Sequence, residues 1–207
     1  MTVTRLDPGP ATVERVTALL CEAFGNYPVM RFLLGSTGDY EARLRTLIGL
    51  FVANRAVPGD PFFGFTEGTE LGGVALCTPP DPPAASAALE EIRERAWASL
   101  GAEARERYAG CVHAWGEVGI AEPNVHLNMI AVRPRYRGRG VARPLLERVQ
   151  TFSRTLPESH GVTLTTEDPR NVALYRYFGY EVVDRRRIAP ELETWGFFRP
   201  DRASLEV

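Results

Sequence analysis

A mixed α/β fold, layered in one domain, follows from three features of this 207-residue sequence. Short apolar runs with strand character are interspersed with longer stretches of helical periodicity. Clusters of Gly and Pro separate them. Their order is strand, helices, hairpin, helix, then strand–helix–strand–helix–strand–strand.

Val3 to Leu6 alternates and reads as a first strand, broken by Asp7-Pro8-Gly9-Pro10. Val13, Val16, Leu19, Leu20, Ala23 and Phe24 recur at helical spacing, with Thr12 placed to cap and Gly25-Asn26-Tyr27-Pro28 to stop the helix. Tyr40 to Asn54 is a second helix, carrying Leu44, Leu47, Ile48 and Phe51 on one face. Phe62 to Glu67 and Leu71 to Thr78 form a hairpin around Gly68-Thr69-Glu70. A Pro-rich connector leads into a long helix, or two, from Ala84 to about Trp115, with Gly101 as the break point. Val125 to Val132 reads as a central strand, Arg143 to Thr155 as a helix, and Val162 to Thr166 as a short buried strand. Asn171 to Phe178 is a short helix; Tyr180 to Ile188 and Thr194 to Phe198 close the sheet.

Composition narrows the function classes. The formal net charge is -2, so no global basic field holds nucleic acid or an anionic membrane. Cys21, Cys77 and Cys111 are scattered, which argues against a disulfide framework or a zinc site, and no metal is expected. No run reaches the roughly 18 apolar residues of a membrane span, and no basic-then-apolar leader opens the chain. A cytoplasmic protein without nucleic-acid or membrane partners is expected. All 24 Lys+Arg residues are Arg, which removes Schiff-base lysine chemistry and a Walker-type loop.

The most informative stretch runs from His126 through Val132 into Arg135-Tyr136-Arg137-Gly138-Arg139-Gly140-Val141-Ala142. A strand ends, a glycine turn follows, and a helix begins. Free amides at a helix N-terminus make an anion site suited to a pyrophosphate, and Arg135, Arg137 and Arg139 add positive charge. An ordinary strand-to-helix turn with solvated arginines would use the same residues. A dinucleotide fingerprint is disfavoured because Arg143 stands where its third glycine belongs.

Arg135-x-x-Gly138-x-Gly140 resembles the acyl-CoA motif of the GNAT superfamily of N-acetyltransferases. Asp168-Pro169-Arg170-Asn171 through Tyr175, Gly179 and Tyr180 is similar to that superfamily's later motif, in the required order and spacing. Phe24-Gly25-Asn26-Tyr27-Pro28, the hairpin end Leu76 to Pro80, and Pro169-Arg170-Asn171-x-x-x-Tyr175 further resemble a puromycin N-acetyltransferase-like branch. The resemblance implies a twisted, mostly antiparallel sheet of six to seven strands, with helices on both faces and a splay at the acyl-CoA site. It implies a single N-acyltransferase domain over 1–207, with an acetyl-CoA core at about 123–182 and an acceptor side in the N-terminal half.

Residue by residue, it implies that the backbone of Met129, Ile130, Ala131 and Val132 pairs with the pantetheine arm of acetyl-CoA, the co-substrate. A backbone N–H near Met129 or Ile130 would hold the oxyanion. The pyrophosphate would lie over Arg137, Gly138, Arg139, Gly140, Val141 and Ala142. Asn171 would bond the cofactor arm; an N-cap role would use the same side chain. Tyr175 would protonate the departing CoA thiolate while a neutral amine attacks directly.

The proton acceptor is sought on or before the central strand, where Glu122, Asn124, His126 and Asn128 share one parity. His126 titrates near neutrality, and Glu122 could act through water. Phe24, Tyr27, Trp115 and Trp195 could line an aromatic acceptor pocket. The expected acceptor is a small-molecule amine and the expected state a monomer or homodimer. A protein or peptide amine acceptor and a non-catalytic acyl-CoA sensor remain open at this point.

Overall fold

The computed structural model describes residues 2–36, 38–117, 120 and 122–201. The chain begins with strand β1 (Val3–Leu6) and helix α1 (Pro10–Phe24). Gly9, not Thr12, is the N-cap of α1, with Pro10 at the first helical position. Proline fits there because its fixed φ is helical and that position needs no N–H donor. The same rule governs a helix that the apolar spacing does not predict, α2 (Pro28–Leu34). Pro28 reads as a stop for α1 but serves as the start of α2. Helix α3 (Tyr40–Ala56) precedes the hairpin of β2 (Phe62–Glu67) and β3 (Glu70–Thr78).

The long helical stretch is two helices, α4 (Ala87–Leu100) and α5 (Ala102–Glu117), parted at Gly101 with φ +88°. Ser86 caps α4, accepting from the Leu89 N–H at 3.3 Å. Strand β4 (Val125–Val132), a single 3-10 turn at Pro134–Tyr136 and helix α6 (Ala142–Ser153) follow. Then come β5 (Gly161–Thr166), α7 (Arg170–Tyr177), β6 (Glu181–Ala189) and β7 (Leu192–Pro200).

The seven strands form one sheet in the order β1-β2-β3-β4-β5-β7-β6. Only the β4–β5 pairing is parallel; the other five are antiparallel. On one face, Leu19 and Leu20 of α1, Leu47 and Ile48 of α3, Leu100 of α4 and Cys111 of α5 pack on Val74, Leu76, Met129 and Ala131. On the other, Leu145, Leu146 and Val149 of α6 and Tyr175 of α7 pack on Ala75, Cys77, Val125, Leu127, Val162 and Leu164. Burying a leucine such as Leu19, Leu47 or Leu145 completely contributes about 2 kcal/mol. Helices cover both faces, as the resemblance implies.

Two irregularities shape the middle of this sheet. Leu76 pairs with Met129 and Cys77 with Leu127, so Asn128 bulges from β4. Leu127 therefore packs on the α6 face, whereas Met129 packs on the opposite one. The single parity expected from Glu122 to Asn128 breaks at that bulge. The second irregularity is the splay. β4 pairs with β5 only from Val125 to Leu127, against Val162 to Leu164. Beyond these residues the two strands part, and the β5-facing edge of β4 has no ladder partner.

The start of β5 is tightly constrained. A Cβ on Gly161 would collide with the Arg199 carbonyl oxygen and come within 2.7 Å of the Phe198 ring. Gly161→Ala is expected to destabilise the protein by about 2–3 kcal/mol, read as a lowered urea midpoint.

Candidate functional site

The glycine turn after β4 has the geometry its sequence requires. Gly138 and Gly140 adopt φ +74° and +78°, left-handed values costly for other residues. A Cβ on either glycine would meet nothing within 4 Å, so the turn is open on its outer side. It leads directly into α6, whose first amides lack intrahelical acceptors. An elongated anion with a hydrogen-bonding arm fits this cradle and the free edge of β4. Acetyl-CoA has that shape: Met129 to Val132 would receive its arm, and Arg137 to Ala142 its pyrophosphate. The side chains of Met129, Ile130, Ala131 and Val132 are packed into the two cores, so only their backbone faces the splay.

The arginines around the turn act differently from the expectation. Arg139 is paired with Glu67 at 2.6 Å, and Arg135 with Glu70. The Tyr136 hydroxyl donates to Glu70 at 3.0 Å, and Arg137 Nε to the Val132 carbonyl at 3.3 Å. Arg135 and Arg139 thus tether the turn to the β2–β3 hairpin, and their charge is partly neutralised.

Across the splay, Tyr175 on α7 is 7% exposed, between Phe197 and Tyr180 at ring-centroid distances of 5.4 and 5.9 Å. Burial, with the negative charge of Glu167 nearby, raises its phenol well above the ordinary value near 10. It is therefore a protonated donor at neutral pH. Asn171 does not cap α7, which starts from Pro169; its Nδ2 donates to Thr166 Oγ1 at 3.1 Å.

His126 and Glu122 are placed less favourably for accepting an ammonium proton. His126 Nδ1 lies 3.0 Å from Thr163 Oγ1, whose hydroxyl donates to Asn124 Oδ1 at 2.5 Å. That direction assigns the proton to Nδ1. Burial first, then the Arg55 charge, lowers the His126 pKa to about 4. It is neutral at pH 7, in surroundings that repel a second cation. Glu122 is exposed; its carbonyl, not its carboxylate, accepts from Asn124 at 2.9 Å.

The depressed His126 pKa has a measurable consequence. The unfolded state, titrating near 6.5, binds more protons than the folded state between about pH 6.5 and 4. Stability is therefore lost as pH falls through that window, by about 2 kcal/mol between pH 7.5 and 5. On lowering the pH from 7.5 to 5, the urea midpoint should therefore fall further, by that amount, in the wild type than in His126→Gln.

The structure also gathers residues that the sequence kept apart. Tyr27, between α1 and α2, lies with its hydroxyl 2.8 Å from Thr166 Oγ1 and accepts the Glu167 N–H at 3.0 Å. Phe24 meets the Tyr27 ring edge-on at 5.0 Å. Trp115 Nε1 donates to Glu167 Oε1 at 2.9 Å, and so does Thr194 Oγ1 at 2.9 Å. Trp195, expected beside these aromatics, packs on the opposite face with Arg185 over its ring at 5.3 Å. Strand alternation explains the difference, since Thr194 is the β7 residue that reaches Glu167.

Glu167 was absent from the expected site. It is 6% exposed and directly follows β5. Its partners lie 27, 52 and 140 positions away, beyond the reach of any local pattern. An open depression of about 380 Å³ is lined by Pro28, Phe32, Ala189, Pro190, Glu191 and Leu192, next in sequence to Tyr27 and close to Thr194 on β7. Among the described residues, no helix is long and apolar enough to cross a membrane, and no cluster of His, Cys, Asp and Glu is arranged to hold a metal.

Comparison with known proteins agrees with this geometry. Residues 75–180, just over half of the chain, match the model of the acetyltransferase (GNAT) family. A search of curated proteins finds no match. Among solved structures, a histone acetyltransferase HPA2 and related acetyltransferase from Corynebacterium glutamicum is 19% identical, with a TM-score of 0.66, covering 99% of this chain and all of its own. A polyamine N-acetyltransferase from Drosophila melanogaster, which forms N-acetylagmatine, is 17% identical with a TM-score of 0.61, covering 95% and 97%. The C-terminal condensation domain of Ebony, in complex with β-alanyl-dopamine, is 11% identical with a TM-score of 0.69, covering 96% and 98%. At these identities the structures speak for the fold alone. The family match supplies the rest: over a splayed sheet whose central strand runs into a glycine turn, the chain belongs to the GNAT acetyltransferase family and is an N-acetyltransferase.

Proposed function

We propose that this enzyme transfers the acetyl group of acetyl-CoA to a primary amine of a small molecule by direct attack, in one 1–207 domain. The observation that carries the reading is the parting of β4 and β5 after Leu127 and Leu164, with the glycine turn on one side and Tyr175 on the other. The co-substrate supplies an activated thioester. The free edge of β4 from Met129 to Val132 holds its arm in extended register, and a backbone N–H near Met129 or Ile130 stabilises the oxyanion. After the Asn128 bulge that stretch stays paired with β3, and only its β5-facing edge is free. Arg137 to Ala142 bind the pyrophosphate, Asn171 orients the arm, and Tyr175 donates a proton to the departing sulfur.

Two features favour a small acceptor over a protein chain. Tyr27 and Trp115, with Phe24 against Tyr27, gather at the buried Glu167. The open depression that begins at Pro28, next in sequence to Tyr27, is mostly apolar. A puromycin N-acetyltransferase-like role is the narrower form of this reading. The test is a thiol-release assay with acetyl-CoA and a panel of agmatine, dopamine, puromycin and a lysine-rich peptide. Turnover of one or more small amines above the peptide is expected. Turnover of the peptide alone would overturn the small-molecule reading, and release with none of them would leave no acetyl transfer to explain.

A further inference from the structure

We propose that Glu167 is the carboxylate that captures the acceptor's ammonium group and takes its proton; this rests on the acetyl-transfer reading above. Three carboxylates are buried among the described residues: Asp60, Glu167 and Asp168. Asp60 is paired with Arg55 at 3.2 Å, and Asp168 with Arg170 at 2.6 Å. Glu167 has no cationic partner among the described residues. Burying an unpaired carboxylate is costly, and a fold tolerates it most readily where a cation is to be received.

The hydrogen bonds around Glu167 show which part of it is available. Oε1 accepts from both Trp115 Nε1 and Thr194 Oγ1. Beyond these two donors, the Tyr27 hydroxyl is the remaining side-chain hydrogen-bond contact of the carboxylate. The hydroxyls above it form a directed chain. Thr166 Oγ1 already accepts from Asn171 Nδ2 at 3.1 Å and, more weakly, from the Asp168 N–H at 3.4 Å. With both lone pairs engaged, its own proton goes to the Tyr27 oxygen, which also accepts the Glu167 N–H. The Tyr27 proton is then left to face the carboxylate or its ligand. Tyr27, Tyr175 and Cys111 feel its charge and are neutral at pH 7, and the charged neighbours Asp168 and Arg170 on the same turn are paired with each other at 2.6 Å. Burial raises the Glu167 pKa, partly offset by the Thr194, Trp115 and Tyr27 contacts. The same apolar surroundings lower the pKa of an ammonium ion, which narrows the gap a proton must cross.

Position adds the second argument. Glu167 stands at the end of β5, where that strand has parted from β4. On this proposal a nitrogen held on Oε2 would approach the thioester carbon from the β5 side of the splay. The balance is simple. One ammonium proton passes to Glu167. The free amine forms the C–N bond while the C–S bond breaks. The sulfur takes the Tyr175 proton, and the second nitrogen proton returns to Tyr175. Glu167 then releases its proton to water.

The test uses the full chain with n-butylamine as the probe, by thiol release, beside calorimetric titration of acetyl-CoA. Glu167→Gln should lower kcat/KM for the amine at least 100-fold and leave the acetyl-CoA affinity within 2-fold. Its residual rate should track the free-amine fraction of the probe as pH rises, and Glu167→Asp should recover part of the activity. A Glu167→Gln rate within 3-fold of wild type would overturn the proposal. So would a wild type that binds acetyl-CoA but does not acetylate the probe. If the wild type does not bind acetyl-CoA at all, the acetyl-transfer reading itself fails and takes this role with it.

Discussion

Replacing Tyr175 by Phe is expected to lower kcat by roughly 10²-fold, with acetyl-CoA affinity and thermal midpoint unchanged. The substitution removes one hydroxyl and keeps the ring that packs against Phe197 and Tyr180. No described group depends on that hydroxyl, so the fold loses little. The size of the effect follows from the leaving group. A thiol with a pKa near 8.5 leaves tolerably well without an acid, so the lost proton donor costs about 2.7 kcal/mol rather than far more. The measurement is steady-state thiol release at saturating acetyl-CoA. A kcat within 2-fold of wild type would reduce Tyr175 to a packing residue.

The second large effect is expected at the turn. Gly138→Glu should weaken acetyl-CoA binding more than 100-fold while far-UV dichroism is retained. At φ +74°, any other residue costs roughly 1–2 kcal/mol of strain. A Cβ there meets nothing within 4 Å, so the side chain leaves the backbone into open space. A carboxylate would instead stand in the anion cradle and repel the pyrophosphate. Gly138→Ala, which carries the strain without the charge, should lose only about 10-fold. Equal losses in the two variants would show that backbone strain, not anion repulsion, dominates. Arg139→Ala should have a smaller effect than either, because Glu67 already shares that charge.

Much of this architecture is legible in the residues themselves. Helical spacing from Val13 to Phe24, the hairpin around Gly68 and the break at Gly101 each rest on local chemistry, and local chemistry governs the outcome. The glycine turn and Tyr175 lie in motifs that keep a fixed spacing along the sequence. What escaped depends on distant neighbours. Pro28 is read as a terminator because nothing before it reveals that α2 packs Val29, Met30, Leu33 and Leu34 into the core. The Asn128 bulge is invisible to period-two counting, yet it moves Met129 to the face opposite Leu127. A single step of alternation separates Thr194, which reaches Glu167, from Trp195, which does not. Glu167 itself sits in a Glu-Asp-Pro turn, where a carboxylate is ordinarily solvated. Tyr27, Trp115 and Thr194 enclose it only once the chain is folded.

The central claim is that the parted strands and the glycine turn form an acetyl-CoA site. Calorimetric titration of acetyl-CoA into the wild-type protein, beside Gly138→Glu, tests it most directly. Micromolar, one-to-one binding that the glycine variant loses is the expected result. Absence of binding to the folded wild type, or equal binding by both proteins, would contradict the claim.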